Sequence, residues 1–335
     1  MVDLLGFKDL GQFEKVSWSV PLDFRGEAFL VEHRKLGLGL FARDPATQED
    51  EAKQIVIRIQ KAVKAARPLF DWLASQAVAS SNVNVHNNSA PLYDRYEFLL
   101  SAYRGKRDEA ERRKDEKVVK KGKGEHGMWS HISFPAYQLR REASWFALSV
   151  IEAFFSWSEH ALIHLAVLTG KVVSAEEVAF LATADWSTKF KTAIDITSPD
   201  AKTQFDKIAS IRQDLRNHVA HGAFGKQGEA FSFHSGAGAV PVLLPHKRGS
   251  NRFTLGRGLE FDTEAAITAI ERFVVFLWSG HRAPAKLYIQ DSHLPIILTY
   301  AANGTYARAM ASAEEMDSFV TYLSYEVDRA ANMDW

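Results

Sequence analysis

Apolar residues along this chain recur mostly at helical spacing, with two short regions where they alternate instead. Up to about Ala46 the segments VPLDF and EAFLVEH alternate like short strands, and LGLGLF reads as a flexible stretch. From Glu49 to Ala79 the spacing turns helical, placing Ile55, Ile57, Ile59, Val63, Ala66, Leu69 and Phe70 on one broad apolar face, and Pro68 is expected to kink or split this helix. The polar SSNVNVHNNSAP stretch predicts a loop, and a further helix from Tyr93 leads into a charged run.

The most apolar stretch, WFALSVIEAFFSWSEHALIHLAVLTG from Trp145 to Gly170, predicts a long buried helix interrupted by Glu152, Glu159, His160 and His164. A shorter helix follows, opened by Ser174 as N-cap with Glu177 as its capping-box partner. The next starts at Ser198-Pro199-Asp200, and its Phe205, Ile208, Ile211, Leu215 and Val219 form one apolar stripe. Ala223 to Gly258 is rich in glycine, with FSFHS and VPVLL as candidate strands of a hairpin-bearing insertion. Helical periodicity resumes from Thr263 to Ser279 through Ile267, Ile270, Phe273, Val274 and Leu277. Beyond Gly280, KLYIQ, PIILTY and a turn at Asn303-Gly304 predict a small sheet before a closing helix from Ala311 to about Ala331. The expected fold class is mainly α. It divides into a mainly helical N-terminal region (1–128), a helical bundle (129–282) with an insertion at about 223–258, and a C-terminal α+β extension of hairpin and helix (283–335).

Composition narrows the picture. With 46% hydrophobic and 24% charged residues in 335, the balance is that of an ordinary globular chain. The 41 basic and 41 acidic residues cancel, so the chain lacks the basic excess with which many proteins grip duplex nucleic acid. Local charge is concentrated in Arg104 to Lys123, with ten basic and five acidic residues. Mixed signs at helical spacing predict a solvated helix ending in a glycine-containing basic loop, with an RNA-backbone contact as the alternative; Trp129 and His131 follow closely. The absence of cysteine excludes disulfides, thiolate metal sites and cysteine nucleophiles, and fits a reducing cytosol. The opening MVDLLGFKDLGQFEKVSW lacks the pattern of a secretory signal, and the charges within Ala143 to Leu168 would be expensive in a bilayer. A cytoplasmic protein with no membrane partner is expected.

The chemistry-bearing segment is Arg216-Asn217-His218-Val219-Ala220-His221-Gly222, near the end of a predicted helix. Histidine exchanges a proton near neutral pH, and the arginine fork matches phosphate oxygens. RNA carries its own nucleophile in the 2′-hydroxyl, so these groups suffice for cleavage without a metal. Asn217 and His221 fall one turn apart, opposite the apolar stripe, while Arg216 falls at its border. The structural alternative is a helix end: arginine and histidine complement the negative pole of the helix, and Gly222 stops it.

Taken with the long apolar helix, this segment resembles the HEPN superfamily (higher eukaryotes and prokaryotes nucleotide-binding domains), over roughly Ser130 to Gly280 with an apparent insertion. Arg216, Asn217 and His221 match the family's Arg, the polar residue after it, and its His. FFSWSEHALIHL, Phe154 to Leu165, resembles the earlier helix, with Glu159 matching an acidic residue that packs near the motif. The resemblance implies an antiparallel helical bundle and a metal-independent endoribonuclease, of the kind that serves as toxin or antiviral-defence effector. On that reading His221 transfers protons, Arg216 stabilises the phosphorane, Asn217 orients the site and Glu159 holds Arg216 or the histidine. His218, Lys226 and Arg212 are the candidates for holding RNA. No cofactor or metal is expected. The partners implied are RNA, a second copy of the chain and an antitoxin or regulatory protein. The alternative of another class is a non-catalytic RNA- or nucleotide-binding or protein-interaction module. A third reading, a metal hydrolase, would use His160 and His164, one turn apart, although a buried hydrogen-bonded pair is the default for that helix.

Overall fold

In the computed structural model, which describes residues 6–124, 127–220, 233–235, 238–240, 242–243, 254–255 and 262–334, the alternating N-terminal segments form an antiparallel meander. Its strands are β1 (Val16–Phe24), β2 (Glu27–Arg34) and β3 (Gly37–Ala42). The β1–β2 turn is Arg25-Gly26, with φ of 60° and 82°, the pair of positive angles that matches the twist of a two-residue hairpin. Val20, Phe29 and Val31 are buried. The open end of the meander meets the C-terminal segment: the Lys15 amide donates to the Met333 carbonyl at 3.3 Å, Lys35 Nζ donates to Asn332 Oδ1 at 2.7 Å, and Lys15 pairs with Asp334.

Pro68 splits the next helix as expected, into α1 (Glu49–Ala65) and α2 (Arg67–Ala79). The broad apolar face does not become core. Ile55 is buried, but Ile57, Val63 and Phe70 are about half exposed, because α1 touches the rest of the fold along β3 and α2 along the helix at Ala175–Thr183. The polar stretch after α2 is more than a loop, since β4 (Asn84–Val85) pairs with Ile296–Ile297.

The charged run also differs from expectation. Its first half lies in α3 (Ser89–Arg112), but its second half is a strand, β5 (Val118–Gly124), paired antiparallel with β6 (Gly127–Ser133). The ribbon joins α3 to α4 (Pro135–Leu168), and the two helices pack lengthwise as a hairpin. The division expected at residue 128 falls inside this ribbon, and Tyr96, Leu100 and Tyr103 of α3 belong to the same core cluster as α4.

At 34 residues, α4 is about 50 Å long. Around it lie α5 (Ala175–Thr183), α6 (Trp186–Ala193), α7 (Pro199–Ala220) and α8 (Thr263–Leu277). The capping box at Ser174 and Glu177 and the start of α7 at Pro199 fall where the sequence put them. Aromatic rings fill the centre: Phe154 meets Phe273 of α8 edge-on at 5.6 Å, Phe155 meets Trp186 at 5.9 Å, and Trp186 stacks on Phe205 of α7 at 6.0 Å. Between α7 and α8, β7 (Phe233–Ser235) pairs with β8 (Gly238–Val240) and β9 (Val242–Leu243) with β10 (Thr254–Leu255), within the expected FSFHS and VPVLL segments and their surroundings.

The C-terminal region is helical where a sheet was expected. KLYIQ lies in α9 (Ala283–Lys286) and a π-helical turn at Leu287–Asp291, and PIILTY supplies only the two-residue β11 (Ile296–Ile297) before α10 (Leu298–Ala302). Asn303-Gly304 joins α10 to α11 (Thr305–Ala309) rather than two strands, and α12 (Ala313–Asn332) is the closing helix. Adjacent Tyr288 and Ile289 are both fully buried, which suits a helix in a core better than a strand whose faces alternate. The chain is therefore mainly helical with small sheets. Among the described residues no helix is long and apolar enough to cross a membrane.

Leu215 lies 8% exposed in the core cluster, whereas Ile57 is 49% exposed. Leu215→Ala is expected to cost about 2–5 kcal/mol and Ile57→Ser to stay within about 0.5 kcal/mol of wild type, measured by denaturant unfolding. The reverse order would show that the faces of α1 and α7 are misassigned.

Candidate functional site

Glu159 of α4 is where the long helix meets the motif helix. Its carboxylate receives Lys189 Nζ of α6 at 2.5 Å on Oε2 and Arg212 Nη2 of α7 at 3.0 Å on Oε1. The Lys189 side chain is only 4% exposed, against 40% for Arg212, so the carboxylate bridges an interior cation and a surface one. Arg212 also lies over the Phe155 ring, 5.4 Å from its centroid. The Asp185 carboxyl, N-cap of α6, is held below its ordinary range by hydrogen bonds from the Thr188 hydroxyl and backbone N–H, with the Arg212 charge adding to them. Three helices thus converge on a chain of alternating charge, Lys189, Glu159, Arg212 and Asp185.

The sequence pointed to Glu159 and Arg212 separately, and the structure brings the two together. Among the described residues, the partners of Glu159 are Lys189 and Arg212; the side chains of Arg216 and His218, and His221 as a whole, lie outside the described residues. The backbone of α7 continues helically through Arg216, Asn217 and His218 to Ala220. Arg216 therefore falls one turn beyond Arg212 on the same side of the helix, about 6 Å further along the axis. His221 and Lys226 lie outside the described residues. Lys189 escaped the sequence reading although a signal existed. Trp186, Phe190 and Ala193 define the buried face of α6, and Lys189 sits within it; an ionisable residue on a buried stripe requires a buried counter-charge.

His160 and His164 lie side by side with ring centroids 4.1 Å apart and planes tilted by 37°. His160 Nε2 accepts the Asn88 backbone N–H at 2.9 Å, so its own proton sits on Nδ1. His164 Nδ1 donates to the His160 carbonyl at 3.0 Å, and its buried Nε2 has no hydrogen-bond partner among the described residues. Burial, reinforced by the neighbouring His164, pushes His160 down to about 3. Burial also pushes His164 down to about 4, against backbone carbonyls that favour its charged form. Both rings are neutral at pH 7. No third His, Cys, Asp or Glu among the described residues joins them into a cluster that would hold a metal ion.

Comparison with profiles of protein families, with characterised proteins and with solved structures gives no match to this chain.

Removing the Glu159 charge leaves Lys189 buried without its counter-ion. Glu159→Gln is expected to lower stability by about 2–3 kcal/mol, and adding Lys189→Met should recover part of that loss. A double-mutant cycle in denaturant checks this coupling, and additive effects would remove it.

The histidines give a second expectation. Their folded pKa values lie below the unfolded value of about 6.5, so the unfolded chain binds more protons between about pH 6.5 and 4 and stability falls as pH drops through that window. From pH 7 to 5.5, above the carboxylate range, each should cost roughly 1 kcal/mol. Unfolding free energies at the two pH values should differ less in His164→Asn than in wild type; an unchanged difference would mean that His164 is protonated in the fold.

Proposed function

We propose that this chain is a metal-independent endoribonuclease of HEPN type, with Arg216, Asn217 and His221 as its catalytic set. The observation that carries the reading is the contact of Glu159 with Arg212: an acidic residue of the long helix reaches the motif helix one turn before Arg216. That is the neighbourhood the resemblance implies for the acidic residue, inside a mainly helical fold. Glu159 then acts as a positioning residue. By fixing Arg212 and Lys189 it sets the rotation of α7 against α4, and with it the direction in which the last turn of α7 presents its side chains.

In the proposed reaction His221 takes the proton of a ribose 2′-hydroxyl. The 2′-oxygen attacks the adjacent phosphorus, the bond to the 5′-oxygen breaks, and that oxygen leaves with a proton. Arg216 stabilises the charge on the pentacoordinate phosphorane. The products are a 2′,3′-cyclic phosphate and a 5′-hydroxyl end. In-line transfer benefits from an acid opposite the base, and one chain carries one motif. A two-fold dimer with the motif helices near its axis would supply both.

Purified protein incubated with total RNA in EDTA should yield 2′,3′-cyclic phosphate ends and spare single-stranded DNA. Arg216→Ala and His221→Ala should each abolish cleavage at unchanged melting temperature, and activity per chain should fall on dilution. Cleavage of DNA, or activity lost to EDTA and restored by zinc, would overturn the mechanism. RNA binding without cleavage by the intact chain would favour the binding-module alternative.

A further inference from the structure

We propose that the β5–β6 ribbon is an arm that binds single-stranded nucleic acid, stacking a base on Trp129 and holding phosphates with Lys120, Lys121 and Lys123. This goes beyond the proposed cleavage and does not rest on it.

Charge pairing divides the basic run in two. In its helical half, Arg104 pairs with Glu271, Lys106 with Glu142, Arg107 with Glu264, Arg113 with Glu109 and Glu116, and Lys114 with Glu111. Five of the seven basic residues from Arg104 to Lys117 are thus paired, all but Arg112 and Lys117. The strands of the ribbon are different: Val118–Gly124 and Gly127–Ser133 contain three lysines and no aspartate or glutamate, and the sequence between them carries one acidic residue, Glu125. Lys120, Lys121 and Lys123 are exposed and form no ion pair among the described residues. Three cations within four residues, without an ion pair among the described residues and in a chain of zero net charge, mark a place for a polyanion.

The ring beside them identifies which polyanion. Trp129 stands directly opposite Gly122 in the ladder, and its indole lies across that glycine so closely that a Cβ there would collide with it. The Nε1–Cε2–Cζ2 side of the indole lies against the ribbon at Gly122, and Trp129 remains 51% exposed. The next pair on the same face is Lys120 opposite His131, while Lys121 and Lys123 project from the other face. A half-exposed flat ring with Lys120 on its own face fits a nucleotide, whose base stacks while its phosphate is neutralised, and Lys121 and Lys123 on the opposite face are placed for the phosphates of neighbouring nucleotides. A membrane-inserting tip would need the indole to project outward, and here it is folded down on Gly122. The ribbon leaves α4 at Pro135, 24 residues before Glu159, about 36 Å along the helix. It therefore grips a strand far from the motif, without taking part in chemistry there.

The test is fluorescence anisotropy of the intact chain with a labelled oligodeoxythymidylate, which lacks the 2′-hydroxyl, so that binding is read whether or not the protein cleaves RNA. Wild type should bind with an affinity that falls with salt at a log–log slope of about 2 in magnitude, the value for three phosphate contacts on a single strand. Replacing Lys120, Lys121 and Lys123 together by Ala should flatten that slope and weaken binding at least tenfold. Trp129→Ala should weaken it roughly five- to a hundredfold with the slope retained, and Trp129→Phe should restore most of the loss. Gly122→Val, which lifts the ring while keeping every charge, should resemble Trp129→Ala. All variants should keep the wild-type melting temperature, because the ribbon contributes nothing to the core cluster. No binding by wild type, binding indifferent to the lysines or to Trp129, or capture by phosphatidylserine vesicles in place of the oligonucleotide would overturn the proposal.

Discussion

A helix segment enclosed on most sides, as α4 is from Val150 to Leu168, must find an internal partner for each polar side chain it buries, and α4 meets that demand at four consecutive residues. Trp157 donates to Ser89 and Gln290, Ser158 accepts from Trp186, Glu159 receives Lys189 and Arg212, and His160 accepts from the Asn88 backbone. Successive residues on a helix point about 100° apart, so these bonds radiate to different neighbours: the start of α3, the π-helical turn, α6 and α7. Apolar packing would hold the same elements close but tolerate rotation and slippage. An unsatisfied buried polar group costs about 1–3 kcal/mol, so the polar set discriminates among packings that the rings alone would accept.

That discrimination matters most for α7. Its stripe of Ile208, Ile211 and Leu215 fixes which face is buried. The Arg212 bond to Glu159 adds a directional constraint at the border of that face. Lys189 supplies the second half of the arrangement, since a carboxylate shared between an interior ammonium and a surface guanidinium is held from both sides. The cost is a buried ammonium at a site that could have been apolar, and such pairs are better at specifying geometry than at raising stability.

Where one element carries its own evidence, the sequence was enough. The capping box at Ser174 and Glu177, the break at Pro68 and the stripe of α7 as far as Leu215 are local patterns and appear as expected. Glu159 and Arg212 were legible as candidates, but their pairing was not, because it depends on how α4 and α7 turn toward each other. The ribbon was misread for a similar reason. Lys120, Lys121 and Gly122 have little strand preference of their own, and the strand exists because Met128 to Ser133 lies alongside. The face of α1 was misread in the opposite sense, since amphipathic spacing states that a face can be buried and not that a neighbour will arrive to bury it.

The meander and the end of the last helix are bound to each other across almost the whole sequence, Lys15 to Asp334 and Lys35 to Asn332. A ribosome delivers residues in order, so the three strands emerge long before the surface on which they dock exists. The α3–ribbon–α4 hairpin, by contrast, closes on itself within one stretch of chain and can form as it appears. The meander, whose turns are local, can therefore form as a tab before the surface on which it docks has been made.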